Sequence, residues 1–236
     1  MATPSNFYRK FSIYRSIMLD DRIRYKARTS FRTTDGWYSR GYLPHCDAPG
    51  LTQFVTIRAV DSVPRDIQSA LSLELEALRV KGVEAHEISR QRVRRIESLL
   101  DAGYGACVLA TEAVAEVVVA SLKITAVEGH EILRWVVMPN HIHLLLKIQS
   151  SASLSSVIRF FKARTGKQIN KMLGSSGRFW FPEYFDRYIR DSAHLDRVIR
   201  YIDQNPVRAN LVKSAEDWSF GSVGYQKRLS AQSCQD

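Results

Sequence analysis

The chain has 236 residues, a length that fits one domain, with or without an extension, and allows a sizeable core. Cys46, Cys107 and Cys234 are odd in number and far apart, which argues against a disulfide framework or a cysteine zinc site; no apolar run approaches the roughly 20 residues of a membrane helix. With no apolar leader at the start, a reducing cytoplasm is the expected compartment.

The 34 Lys/Arg against 24 Asp/Glu give a net charge of +10, and their placement matters more than their sum. Residues 1–40 hold nine Lys/Arg against three Asp/Glu, residues 41–149 eleven against thirteen, and residues 150–236 fourteen against eight. Two basic ends around a near-neutral middle suggest a polyanion footprint built from particular segments. Residues 1–35 interleave the bases with Phe7, Tyr8, Phe11, Tyr14, Tyr25 and Phe31 without any clear period. That pattern predicts a flexible or loosely docked arm able to grip phosphates and stack bases.

A Gly- and Pro-rich connector from Gly36 to Pro49 leads into a first strand over Thr52–Arg58. Pro64 and Arg65 open a helix, and a charged helical stretch with Arg90, Arg92, Arg94 and Arg95 follows from Glu84 to Leu100, its role open. Ala106–Leu109 reads as a short second strand. Thr111 caps a helix to about Ile124, Glu131–Met138 is a third strand, and His141–Ile148 a fourth. Ser153 or Ser155 starts a helix that Gly174 to Gly177 end. Phe179–Ile189 is an aromatic connector with room for a short strand. Asp191 or Ser192 caps a last helix to Asn205, stopped by Pro206. The order predicts an α+β fold, an antiparallel sheet with helices packed on one face. The expected division is an arm over 1–35, one domain over 36–225 and a tail over 226–236.

His141-Ile142-His143 is the most informative motif. A strand alternates its side chains, so the two imidazoles share one face while Ile142, Leu144 and Leu146 take the other. Two imidazoles on one face of a buried strand form half a divalent metal site. On the last helix Leu195, Val198, Ile199 and Ile202 make an apolar stripe, and Tyr201 and Asn205, four apart, stack at its flank. If that helix packs beside the histidine strand, Asn205 can complete a three-ligand site with Tyr201 next to the metal. A packing tyrosine and a helix-terminal asparagine before proline fit the same spacing. Ligand softness alone permits zinc.

The block Trp135-Val-Val-Met-Pro-Asn-His-Ile-His-Leu-Leu145 resembles the histidine–hydrophobe–histidine motif of the HUH single-strand transposases. With Gly41-Tyr-Leu-Pro-His45, Gln53–Arg58, Gly105-Ala-Cys107, Tyr184–Arg190 and Tyr201-Ile-Asp-Gln-Asn-Pro-Val207 in order, residues 38–222 resemble the REP-associated tyrosine transposases. The resemblance implies a ferredoxin-like HUH fold, with His141, His143 and Asn205 as ligands of Mg²⁺ or Mn²⁺ and Tyr201 as nucleophile. It implies cleavage and rejoining of single-stranded or hairpin DNA, repetitive palindromic elements among them, through a 5′-phosphotyrosine. Arg159, Lys162, Lys167, Arg187 and Arg197 are candidate DNA contacts. The same fold could also serve as a catalytically idle palindrome-binding module or a water-using phosphodiesterase. A nucleoid-associated protein, monomeric or homodimeric, is expected.

Deleting residues 1–35 should leave a folded, metal-binding chain with weaker DNA affinity. In a salt series on single strands the logarithm of affinity should depend less steeply on salt, by about 0.7 for each phosphate the arm no longer neutralises. An unchanged slope would make the arm irrelevant to DNA.

Overall fold

The computed structural model describes residues 31–32, 37–39, 44–46, 48, 50–128, 130–149 and 152–233; the arm predicted over 1–35 lies outside the described residues but for Phe31 and Arg32. Three short strands, β1 (Phe31–Arg32), β2 (Trp37–Ser39) and β3 (Pro44–Cys46), pair antiparallel in that order. Strand pairing therefore crosses the boundary expected near Gly36.

The main sheet is built from β4 (Thr52–Arg58) and three later strands. After β4 come two helices, α1 (Arg65–Val80) and α2 (Ala85–Asp101), the second being the charged stretch of the sequence. The strand expected over Ala106–Leu109 is instead a 3₁₀ turn over Val108–Ala110. Tertiary contacts override the local β pattern there. Gly105 has φ +86°, a Cβ on it would lie 2.6 Å from the Asp61 carbonyl oxygen, and the Ala106 amide donates to Asp61 Oδ2 at 2.8 Å. Cys107 then enters the turn at φ +52°.

Helix α3 (Glu112–Val127) leads into β5 (Glu131–Val137) and β6 (His141–Lys147), followed by α4 (Leu154–Leu173), β7 (Phe185–Tyr188) and α5 (Ser192–Arg208). The sheet order is β5-β6-β4-β7, antiparallel throughout, as the α+β reading requires. Ser153 caps α4 by accepting from the Ser156 amide, and Gly174 ends it in the left-handed region, φ +59°. Asp191 caps α5 by accepting from the His194 amide at 2.6 Å. Pro206 does not stop α5. It sits in the last turn, where it removes one helical amide without breaking the helix, which runs on to Arg208. Beyond the expected domain end at 225, helix α6 (Ser222–Ser233) continues the chain through most of the segment read as a tail.

Helices cover both faces of the sheet. Val55, Ile57, Ile142, Leu144 and Leu146 pack with α3 and α4, the arrangement the sequence predicts. The opposite face, with Phe54, Val136 and Leu145, receives Ile202 and the apolar stripe of α5. This second layer is the departure from a one-face packing. The face of β6 that carries histidines needs its own cover once the strand is buried on both sides. The segment after α5 is bound to β5. Trp218 Nε1 donates to the Val137 carbonyl at 2.9 Å, the Val137 amide donates to the Phe220 carbonyl at 2.7 Å, and the Ser222 hydroxyl accepts from the Trp135 amide and donates to the Trp135 carbonyl.

His45 ties β3 to β7. It is fully buried, with Nδ1 hydrogen-bonded to Asp186 Oδ1 and Nε2 to Glu183 Oε2 at 3.0 Å. Burial alone lowers the pKa of an imidazole. Here the hydrogen bonds and charges of Asp186 and Glu183 outweigh it and push the group up to about 9. The stabilisation from this raised pKa is fully present below the unfolded value near 6.5 and is lost as pH rises through about 9. His45→Ala should therefore destabilise the chain at pH 6, by about 3–5 kcal/mol, the cost of breaking a buried pair. The gap to wild type in urea melts should narrow at pH 9.5. A gap that is equal at both pH values would refute the charged assignment.

Candidate metal and tyrosine site

β6 is buried along its whole length except Lys147, and its register sets the site. His143 lies opposite Thr56 of β4 and Val136 of β5, and His141 opposite Arg58. The period-2 alternation places both imidazoles on the α5 side of the sheet, where each is 1% exposed. Their Nε2 atoms face each other at 3.1 Å. The far nitrogens are fixed. His141 Nδ1 donates to Asn140 Oδ1 at 2.7 Å, with Asn140 Nδ2 in turn donating to the Tyr104 carbonyl, and His143 Nδ1 pairs with the Thr56 hydroxyl at 2.9 Å. Burial holds His141 down to about 3; burial first, then His141 and the Arg208 cation, hold His143 well below the ordinary imidazole value. Both are neutral near pH 7, the state a metal ligand needs.

The tautomers follow from these contacts. With Nδ1 of His141 protonated, its Nε2 carries a lone pair. If Thr56 donates to His143 Nδ1, then His143 Nε2–H donates to His141 and the pair is satisfied by itself. If His143 Nδ1 donates to Thr56 instead, both Nε2 lone pairs point into one space, which a cation would satisfy.

Helix α5 supplies the rest. The Tyr201 ring lies 5.2 Å from the His143 ring and 5.7 Å from Phe54, edge-on to both. Asn205, one turn later, is 1% exposed, and neither its amide nitrogen nor its oxygen makes a hydrogen bond of acceptable geometry, although the amide is close enough to ease the ionisation of Tyr201 slightly. An orphaned buried amide is costly unless something else engages it. Among the described residues no three His, Cys, Asp or Glu side chains gather to hold a metal, so a third protein donor beside the two histidines would be of another type. The Asn205 amide oxygen fits that requirement, and two imidazoles with one amide oxygen form a donor set suited to a divalent ion.

The phenol of Tyr201 is held above its ordinary pKa by burial, then by Glu97 and Asp101, against the opposing pull of Arg208. Glu97 and Asp101 belong to α2 and do not stand out in the sequence. Only the charge density of that stretch signals them, because nothing local says which helix its acids will meet. The five basic candidates divide between the two faces. Arg187, opposite Phe54 in the sheet register, and Arg197 on α5 are exposed on the histidine side. Arg159, Lys162 and Lys167 lie on α4, which packs on the other side. Lys162 donates to the carbonyls of Phe181 and Pro182 at 2.6 and 2.7 Å, a structural use. Lys167 lines a groove of about 930 Å³ together with Lys171, Arg178 and Trp180.

Comparison with known proteins places these groups in a recognisable segment. Residues 104–205, which include His141, His143, Tyr201 and Asn205, match the family described as "Transposase IS200 like". The chain is 30% identical over 104 residues to the REP-associated tyrosine transposase of Escherichia coli (strain K12), a stretch that is 44% of this chain and 60% of that relative's length. Among solved structures it is similar to a REP-associated tyrosine transposase bound to a REP hairpin. That likeness has a TM-score of 0.46 at 20% identity and covers 77% of this chain and 81% of the other. A putative transposase from Deinococcus radiodurans R1 aligns with a TM-score of 0.31 at 12% identity, over 71% of this chain and 95% of the other.

Wild-type chain should bind about one Mn²⁺ in a calorimetric titration. His143→Ala should abolish that binding, and Thr56→Val should weaken it by about 10–100-fold, the usual effect of removing a group that orients a ligand. Equal Mn²⁺ affinity in wild type and His143→Ala would remove the histidines from any metal site.

Proposed function

We propose that this chain, whose residues 104–205 match the IS200-like transposases, is a metal-dependent tyrosine transposase that cuts and rejoins single-stranded or hairpin DNA. The observation that carries the reading is the Tyr201 ring standing 5.2 Å from His143 on the sheet face that holds the buried histidine pair. His141, His143 and Asn205 would hold a divalent ion, Mg²⁺ or Mn²⁺, whose charge would polarise the phosphate and steady the departing oxygen.

Tyr201 does the covalent work. Its phenol oxygen forms a bond to phosphorus while the bond from phosphorus to the 3′-oxygen breaks. The proton leaves the phenol during attack, and the released strand ends as a 3′-OH. The 5′-phosphotyrosine keeps the phosphoester, so a second 3′-OH can attack, break the tyrosine bond and join a new end. A nuclease that used water would lose that bond. Burial raises the phenol's pKa further above neutrality, so Tyr201 meets the phosphate as a neutral phenol and must lose its proton as it attacks.

The substrate must expose its backbone to a site sunk beside α5, which favours single strands and hairpins over continuous duplex. The resemblance of residues 38–222 to the REP-associated tyrosine transposases makes repetitive palindromic elements the kind of DNA to try first. Arg187 and Arg197 would contact the strand near Tyr201, and Arg159 and Lys167 a part that reaches the α4 side. Among the described residues no helix is long and apolar enough to cross a membrane.

Incubated with a labelled hairpin-bearing single strand and Mn²⁺, the wild type should form a denaturant-resistant protein–DNA adduct. Tyr201→Phe should lose it while binding the strand with nearly unchanged affinity. Cleavage without an adduct would assign the attack to water, and binding without cleavage would leave a palindrome-binding module.

A further inference from the structure

Helix α2 lies outside the segment matched to the transposases, yet its last turn reaches the tyrosine helix. Asp101 Oδ2 lies 3.9 Å from Arg208 Nη2. The second oxygen, Oδ1, is buried and makes no hydrogen bond. Arg208 Cζ lies 5.0 Å from the centroid of the Tyr201 ring. Arg208 follows Tyr201 by seven residues, two turns along one side of α5. Its side chain is 53% exposed, so a guanidinium held by Asp101 on one side is open to solvent on another.

We propose that Asp101 is a positioning residue that holds the Arg208 guanidinium over Tyr201, where that cation meets the phosphate under attack. The inference rests on Tyr201 as nucleophile. An arginine has a long stem and many rotamers, so an unheld guanidinium would swing into water and reach the phosphate only at the cost of ordering. The Asp101 carboxylate gives that order: Oδ2 faces the guanidinium, and with Oδ1 buried and unbonded the negative charge relies on the cation beside it. The arrangement also meets an electrostatic need. Glu97 and Asp101 place negative charge near a site that must accept an anionic phosphate. Arg187 and Arg208 are the cations that oppose Glu97, and Arg208 is the one that stands over the ring. A planar guanidinium can accept Asp101 on one edge and present free N–H groups to phosphate oxygens on another, which an ammonium cannot match in geometry.

The test is a double-mutant cycle on adduct formation, using full-length chain, Mn²⁺ and a single-stranded oligonucleotide captured by the wild type from a mixed pool. At saturating DNA, Asp101→Asn and Arg208→Ala should each lower the rate at least roughly tenfold. The DNA concentration giving half the maximal rate should stay within about twofold for Asp101→Asn, because Asp101 touches no DNA. Asp101→Asn combined with Arg208→Ala should be no slower than Arg208→Ala alone. The asparagine keeps the shape of the aspartate, and its thermal melt checks the fold. Wild-type rates in Asp101→Asn, or rate reductions that multiply in the double variant, would overturn the proposal while leaving Tyr201 as nucleophile. A wild type that forms no adduct with any strand would overturn the nucleophile first and the proposal with it.

Discussion

The pairing register between β4 and β6 is the constraint on which the molecule depends. In an antiparallel ladder of alternating side chains, a slip of one residue exchanges the two faces. Such a slip in β6 would drive two imidazoles into the apolar core under α3 and α4 and turn Ile142 and Leu144 toward Tyr201. The apolar half of the strand prevents it. Ile142, Leu144 and Leu146 are all but fully buried, against Val55 and Ile57 on the neighbouring strand. Burying a side chain of that kind is worth about 1.5–3 kcal/mol. The histidines contribute little to choosing the register. They are held in place by residues whose own preference is for the other face.

The same division explains why the site is both neutral and rigid. A strand buried on both faces gives His141 and His143 no water, so they remain uncharged, and each has one nitrogen tied to a neighbour, Asn140 or Thr56. Asn140 and Thr56 are themselves fixed by the bend and the sheet. Each ring is thereby held in one orientation by a hydrogen bond that does not depend on any ligand. Charge then comes from outside the sheet, from α2 and the end of α5, where long side chains keep contact with solvent.

Patterns set by local periodicity could be read from the sequence. The alternation in 141–148 defines the histidine face, and the i,i+4 spacing of Tyr201 and Asn205 defines one side of the helix. The helix stripe at Leu195, Val198, Ile199 and Ile202 marks the surface that docks. What could not be read was set by partners distant in the chain. Residues 106–109 look like a strand, but Gly105 pressed on Asp61 turns them aside. Pro206 looks like a stop, but it falls so near the C-terminal end that it removes a single helical amide and the helix closes two residues later. His45 shows nothing of Glu183 and Asp186 across 138 and 141 residues. Asp101 looks like one acid in a charged helix. The local sequence is as silent about α6, whose anchoring depends on Trp218 and Ser222 meeting the backbone of β5.

That anchoring also limits how two molecules can associate. β5 is the outer strand of the main sheet, and an outer strand is a template for another chain's backbone. Here the outward amides and carbonyls of Trp135 and Val137 are all taken, by Ser222, Phe220 and Trp218. Another copy cannot lengthen the sheet along this half of the strand without displacing the C-terminal segment. Removal of residues after 217 would unmask an aggregation-prone border rather than merely shorten the chain.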